Sequence, residues 1–538
     1  MPNLLRPYRV LVAALLLGAA ADYLFNGRAL GVSAPLFVAL GLALLARLGV
    51  DERRPATRAN LWLGGAALFF ALCLAWRASA TLTALNAAAV AGLLALLALS
   101  YRAAPLHARH PAELLAGLAG GLGDMLFQPG ALAAGALRAA HAPRLRLASA
   151  GRVGCGLLLA LPVLFIFTGL LMAADAVFAS YVEQLLSFDI PFDLADLLGH
   201  ALFAGAAAWA CAGGLLVALV ADERWVVGRA LAALARALVG LVYVEPAEAA
   251  GVEDLPAEGD TQRLRAARRA PIAIGATEAL TVLALVDLLF GGFVAIQGAY
   301  FFGGLDTLAR TGMTYAEYAR RGFFELLAVA CLSLGLLCAL AVVTRRPAAR
   351  VRWAFNAASA AMIALVLGLL ASAFERMALY EQAYGYTELR VYTHTFMIWL
   401  ALVLGLFLLA LFRARPQIFT FGGLVSLVVY LAALNLANPD ALIVRENIAR
   451  VGRAAAYSHR GEEVDVFYLT QLSPDATPAL AASLGQLNGE SWLVVAAALG
   501  GRHDELARQQ AADGWPSWHL GRASALWAIE RTGLARPQ

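Results

Sequence analysis

Long runs of apolar residues alternate with short polar connections over most of this chain. The runs are about 16–25 residues long, and an α-helix needs about 20 apolar residues to cross a hydrocarbon core about 30 Å thick. The pattern therefore predicts about 11 membrane-spanning helices, and the shortness of several runs leaves the count open between about 10 and 13. The predicted spans are 10–25, 31–48, 61–76, 82–100, 153–174, 197–220, 272–296, 322–344, 353–374, 391–412 and 416–435.

The pattern changes after residue 435, where apolar residues recur at helical spacing among polar ones. Asn438-Pro439-Asp440 and Ser473-Pro474-Asp475 each combine an N-cap residue with proline at the first helical position. The sequence predicts a transmembrane helical domain over 1–435 and an all-helical domain over 436–538 on the outer face. Two loop segments, 112–127 and 225–244, have the apolar spacing of interfacial helices. The predicted fold class is all-α, a polytopic transmembrane helix bundle with a small C-terminal extramembrane domain.

Composition and charge strengthen the membrane assignment. Hydrophobic residues make up 61% of the chain and charged residues 14%. The positive side chains are all arginines, and they concentrate in alternate loops, as in proteins whose positive loops stay cytoplasmic. This distribution places the N-terminus inside and the C-terminus outside. It also accounts for the net charge of +4 without a nucleic-acid partner. The arginine-rich loops are 47–58, 101–152, 221–271, 345–352 and 413–415.

Several kinds of chemistry are excluded or weakly supported. The chain has no lysine, which excludes a Walker A lysine and a Schiff base to pyridoxal phosphate. We expect no cofactor and no metal. The acidic stretch with Asp189, Asp193, Asp196 and His200 leaves two interpretations open, a divalent ion or an acidic counterpart to the basic loops.

Polar residues at membrane depth are the stronger signal, because they are costly unless they face a cavity or a partner. They either join helices by hydrogen bonds or line a substrate path, a proton relay or a lipid-headgroup site. On a helix beginning near Tyr315, Glu317, Arg321 and Glu325 are spaced four apart and form one charged stripe. Arg320 points elsewhere, toward an outer acid such as Glu381. The predicted substrate-binding set, facing an outward-open polar cavity, is Arg321, Glu325, Asp287, Arg390, His394, Tyr380 and Glu317.

A string of motifs in order resembles a family of bacterial multipass membrane proteins known only as a domain of unknown function. The motifs are DYLF (22–25), LPVLFIFTGLLMAADAVF (161–178), TEALTVLALVDLLFGGFVAIQGAYFFGG (277–304), YAEYARRGFFEL (315–326), LYEQAYGYTELRVYTHTF (379–396), NPDALIVRENIAR (438–450) and YLTQLSPDATPAL (468–480). The resemblance implies that the motif-bearing segments lie on the outer half of the membrane protein, and it brings no established activity, cofactor or catalytic residue with it. We expect the protein in the bacterial cytoplasmic (inner) membrane. Tyr386 stands where the resemblance implies a more apolar residue.

Two functions from different classes are compatible with these observations. The favoured one is a non-catalytic transporter or a lipid- or ligand-binding module. The alternative is a membrane-embedded enzyme that acts on an outer-face lipid-linked or envelope substrate with arginines as phosphate clamps. A signalling partner subunit is a third hypothesis. The expected partners are membrane lipids, a small-molecule or lipid-linked ligand and a protein partner, with no nucleic acid.

Overall fold

The described part of the chain is helical. The computed structural model describes residues 7–109, 117, 120–121, 124–125, 128–130, 194–219, 276–302, 323–344, 348–457 and 465–534. These residues contain no β-strand, and nine of their helices are long and apolar enough to cross a membrane. The prediction of an all-α polytopic bundle is confirmed. The exact number of spans stays a prediction, since the segment 153–174 lies outside the described residues.

Contacts divide the chain into two compact units. Unit 1 comprises residues 1–106, 116–233 and 506–523, and unit 2 comprises 107–115, 234–505 and 524–538. The predicted domain boundary at residue 435 stays a prediction. The described spanning helices of unit 1 are α1 (Pro7–Phe25), α2 (Ser33–Asp51), α3 (Trp62–Trp76), α4 (Ala80–Ser100) and α5 (Leu194–Leu219).

The closest helix packing in unit 1 joins α1 to α5. Gly18 makes this possible: a Cβ placed there would lie 2.6 Å from the Ala208 Cβ and closer still to the Ala204 carbonyl oxygen. Small residues at such a crossing let two backbones approach closely, as is common between membrane helices. The predicted interfacial segment 112–127 also packs within this unit at its described positions, because Met125 contacts Gly213 of α5.

Unit 2 contains α6 (Ala276–Phe302), α7 (Phe323–Val343), α8 (Ala349–Tyr384), α9 (Glu388–Phe412) and α10 (Pro416–Ala437). All of these except α7 are among the nine helices, because the apolar part of α7, Leu326–Ala341, is shorter. A core of buried Leu, Ile, Met and Phe side chains joins α6, α7, α8 and α9. Helix α8 has 36 residues, about 54 Å at 1.5 Å per residue. It extends ten residues beyond the predicted end at Phe374, because Met377 is buried in the same core and the added residues are good helix formers.

The described residues of the tail, 438–457 and 465–534, contain helices and no strand, in agreement with the predicted all-α fold class. The tail helices are α11 (Pro439–Tyr457), α12 (Val466–Gln471), α13 (Thr477–Ala482), α14 (Gly489–Asp513) and α15 (Leu520–Glu530). Both predicted caps are confirmed: the Asn438 side chain accepts from the Ala441 N–H at 3.2 Å. The Ser473 side chain accepts from the Asp475 N–H at 3.3 Å. A second core joins α11, α12, α13 and the start of α14 to Val391 at the beginning of α9.

Candidate functional site

The connection between α8 and α9 is a tight turn built around one glycine. Helix α8 ends at Tyr384, and Gly385 follows with a φ of +78°, in the left-handed region that glycine enters without strain. Its N–H donates to the Glu381 carbonyl oxygen at 2.8 Å. Helix α9 begins at Glu388, so the last turn of α8 and the first two turns of α9 lie side by side.

A buried carboxylate and an imidazole meet across this turn. The Glu381 Oε2 lies 3.0 Å from the His394 Nδ1. The Glu381 residue is only 2% exposed, and its second oxygen, Oε1, has no hydrogen-bond partner among the described residues. The Phe374 ring contacts the imidazole edge-to-face, with centroids 3.9 Å apart. Since buried polar atoms are nearly always paired, the Oε1 atom marks a place for a proton, a water or a ligand donor.

Arg390 and Tyr380 form a neighbouring contact. The guanidinium lies over the Tyr380 ring at 4.1 Å. It also donates to the carbonyl oxygens of Tyr384, at 3.3 Å, and of Gly385. These carbonyls are at the C-terminal end of α8, where a helix leaves acceptors unpaired and favours positive charge. Arg390 therefore caps α8 and holds the turn in place.

The tail holds the same turn from the other side. The Asn447 side chain on α11 bonds both backbone groups of Tyr386, accepting from its N–H at 2.7 Å and donating to its carbonyl at 2.8 Å. The Glu388 N–H donates to the Tyr468 hydroxyl at 2.8 Å. Burial raises the pKa of Tyr468 above its usual range, which keeps this hydroxyl neutral. The Tyr386 ring packs against the second core, so an aromatic residue fits where a more apolar one was expected.

The structure brings together part of the predicted substrate-binding set. Arg390 contacts Tyr380, and His394 lies one turn further along α9. Asp287 is on α6, which packs against α8, and its Oδ1 atom is buried without a partner among the described residues. Glu317 and Arg321 lie outside the described residues, as does the side chain of Glu325.

Sequence reasoning missed two residues of this site. Glu381 was predicted as an outer polar residue and an acid for Arg320 but was left out of the substrate-binding set, although the structure makes it the buried partner of His394. Asn447 was not singled out. The glycine between Glu381 and His394 was the available signal, because a helix end at Gly385 folds the two flanking helices back on each other.

A comparison with known families adds a match over most of the chain. A family profile described as "Domain of unknown function (DUF4153)" matches residues 63–483. The chain belongs to this family. The matched residues include the whole α8–α9 turn and its contacts with Asn447 and Tyr468. The chain matches no curated protein and no solved structure. The description of this family assigns it no function, so the function of the turn is argued from its geometry.

Proposed function

We propose that this DUF4153 protein is a non-catalytic transporter or ligand-binding protein of the membrane, with its polar site at the Glu381–His394 pair. The observation that supports this is the Glu381 carboxylate, which is buried and has one oxygen paired with an imidazole and the other unpaired among the described residues. An unpaired buried acceptor costs about 1–3 kcal/mol, and a ligand donor would recover this free energy.

The chemistry of the pair defines the class of ligand. The acceptor of Glu381 suits a hydrogen-bond donor such as a hydroxyl, an amine or an ammonium group. The nearby rings of Phe374 and Tyr380 supply apolar surface for the rest of the ligand. A lipid headgroup and a small polar solute both meet these requirements.

The alternative of an enzyme with arginine phosphate clamps is less well supported at this turn. A phosphate clamp needs guanidinium N–H groups that point at the substrate. Arg390 instead donates to two backbone carbonyls and covers the Tyr380 ring. We therefore assign Arg390 to the support of the turn and the ligand contact to Glu381 and His394.

Native mass spectrometry of the purified full chain tests the proposal. The variant is Glu381→Gln, which keeps the side-chain shape and a hydrogen bond to His394 but removes the charge. Glu490→Gln, at an exposed position of α14, is the matched control. We expect wild type and E490Q to retain a lipid or small molecule that E381Q loses, with all three equally folded by thermal unfolding. The same set of bound molecules in all three, including none, would overturn the proposal.

We extend the proposal to sidedness, with the chain in the bacterial inner membrane, the N-terminus cytoplasmic and the tail outside. The alternation of arginine-rich loops supports this orientation. A reporter enzyme active only in the periplasm should be active when fused after Gln538 and inactive when inserted within 245–260. Activity at the second position would reverse the assignment.

A further inference from the structure

Unit 1 contains a polar cluster at the end of α1 that the proposed function does not use. Asp22 is in the last turn of α1, and Asn26 follows the last helical residue. The His200 ring is near the start of α5, 2.8 Å from Asp22 Oδ1 and 2.9 Å from Asp22 Oδ2 through its Nδ1. The Asn26 amide lies 2.9 Å from both Asp22 Oδ1 and His200 Nδ1. Three side-chain atoms thus form a triangle with edges of 2.8 to 2.9 Å.

Hydrogen bonds alone do not satisfy this triangle. If His200 Nδ1 carries a proton, it donates to Asp22, but it then faces the Asn26 amide N–H as donor against donor. If Nδ1 is unprotonated, it accepts from Asn26 but faces the Asp22 oxygen as acceptor against acceptor. Rotating the Asn26 amide by half a turn exchanges its nitrogen and oxygen, and places its oxygen against the Asp22 oxygen. With Asp22 as a carboxylate, each of these arrangements leaves at least one short edge without a hydrogen bond.

We propose that Asp22, Asn26 and His200 bind a divalent transition-metal ion in octahedral geometry. A cation contacts all three atoms at once when Asn26 presents its oxygen and His200 its unprotonated Nδ1. Ligand atoms about 2.1 Å from an octahedral ion lie about 3.0 Å apart, against about 3.4 Å around a tetrahedral ion. The observed edges fit the octahedral case. Carboxylate, amide and imidazole ligands together suit ions such as Mn²⁺ and Zn²⁺.

The surroundings favour a cation in three ways. The site is at the C-terminal end of α1, which carries the negative end of the helix dipole. The Asp196 carboxylate lies 3.8 Å from His200 Nε2, on the far side of the ring. This distance is too long for a hydrogen bond, but the negative charge of Asp196 favours a nearby cation, and a proton on Nε2 leaves Nδ1 free to bind metal. The side chains of His200 and Asp22 are 43% and 21% exposed, which leaves room for water at the other coordination positions.

The helix crossing below the site holds the ligands in place. Gly18 and Asp22 are four residues apart on α1, and Ala204 and His200 are four residues apart on α5. The close contact of Gly18 with Ala204 therefore lies one turn from the triangle and fixes the distance between the two helices there. Asp22 and His200 are on packed helices, and Asn26 is one residue beyond α1 with its N–H bonded to the Asp22 carbonyl oxygen at 3.0 Å, which favours a preformed site.

Calorimetric titration of the chelator-treated full chain with Mn²⁺, and separately with Zn²⁺, tests the proposal. We expect saturable binding that weakens at least tenfold in His200→Ala. Asn26→Asp is the discriminating variant. It should bind the ion more tightly than wild type, because a second carboxylate replaces a neutral amide, and it should be less stable than wild type without the ion. His503→Ala is the control, since His503 also neighbours two carboxylates, Asp504 and Glu530, but is in unit 2.

Electron paramagnetic resonance of bound Mn²⁺ supplies a second measurement. Direct ligation by His200 predicts a nitrogen coupling that is present in wild type and H503A. Binding by the wild type that is no tighter than by H200A, for both ions, would overturn the proposal. So would a failure of N26D to gain affinity. Thermal unfolding in the presence of chelator shows whether H200A binds less metal because it is less folded. The expected increase in metal affinity of N26D cannot be explained by a loss of structure.

Discussion

Acidification is expected to loosen the segment of the tail that packs within unit 1. His519 precedes α15 and is only 5% exposed. Its Nδ1 accepts from the Arg522 N–H at 3.4 Å, and its Nε2 bonds the Arg77 carbonyl oxygen at 3.2 Å. Both bonds require the neutral imidazole with its proton on Nε2. Protonation would remove the acceptor and place a positive charge in a buried site beside Arg522.

The size of the effect follows from the pKa of His519. Burial first, and then the charge of Arg522, lower this pKa from 6.5 to about 4. This pKa difference of about 2.5 corresponds to about 3 kcal/mol of packing free energy at a pH where His519 is protonated in the detached segment but neutral in the packed one. Because the packed state has the lower pKa, its stability is constant above pH 7 and falls as the pH drops from 6.5 toward 4. Between pH 7 and pH 5 the expected loss is about 2 kcal/mol, or roughly twentyfold in the opening equilibrium.

Hydrogen exchange of the Val32 amide measures this opening, because its N–H donates to the Trp518 carbonyl at 2.9 Å. The protection factor, corrected for the intrinsic exchange rate at each pH, should fall about twentyfold from pH 7 to pH 5. In His519→Asn, which caps the helix without titrating, it should stay constant. Amides in the middle of α4 should not change in either protein. A wild-type protection factor at Val32 that is independent of pH would refute the role of His519.

Two substitutions test the packing that supports the sites, with thermal unfolding of the full chain as the measurement. Gly18→Ala should lower the free energy of unfolding by about 1–3 kcal/mol, because the new methyl group overlaps α5. The control is Gly41→Ala in α2, where the new methyl group meets nothing within 4 Å. This substitution should be neutral or stabilising. Equal effects of the two would contradict the close crossing of α1 and α5. Asn447→Ala should cost about 1–3 kcal/mol by removing its two hydrogen bonds to the Tyr386 backbone. Gln510→Ala, at an exposed position within α14, should cost far less. If it costs as much, the bonds of Asn447 do not stabilise the turn.

Most of the local structure could be predicted from the sequence. Apolar run lengths predicted the spans because the bilayer imposes a length on every helix that crosses it. Asn438 and Ser473 predicted two helix starts because a cap is a contact between neighbours in the chain. The predicted end of α8 at Phe374 was ten residues early, since Glu375 and Arg376 look like a membrane boundary in sequence. The helix continues there because Met377 has a place in the core.

The contacts that build the sites were harder to predict. Asp22 belongs to the DYLF motif and His200 to an acidic stretch, but they are 178 residues apart and nothing local pairs them. The bond between Asn447 and Tyr386 spans 61 residues and joins a tail helix to a membrane turn. Such pairings depend on which helices pack together. The choice of helix neighbours depends in turn on the shape of the whole packing face of each helix. Arg390 was expected in a cavity, yet a helix end with unpaired carbonyls lies within its reach.

The packing of residues 506–523 within unit 1 has a consequence for the order in which the protein is made. His519 is 442 residues from its partner Arg77. At about 5–20 residues per second, a ribosome needs roughly 20–90 s to cover that distance. The first helices are therefore in the membrane well before the segment that packs on them exists. During that interval the Arg77 carbonyl, the Val32 N–H and the surface around Gly31 need water or a membrane-insertion chaperone to cover them.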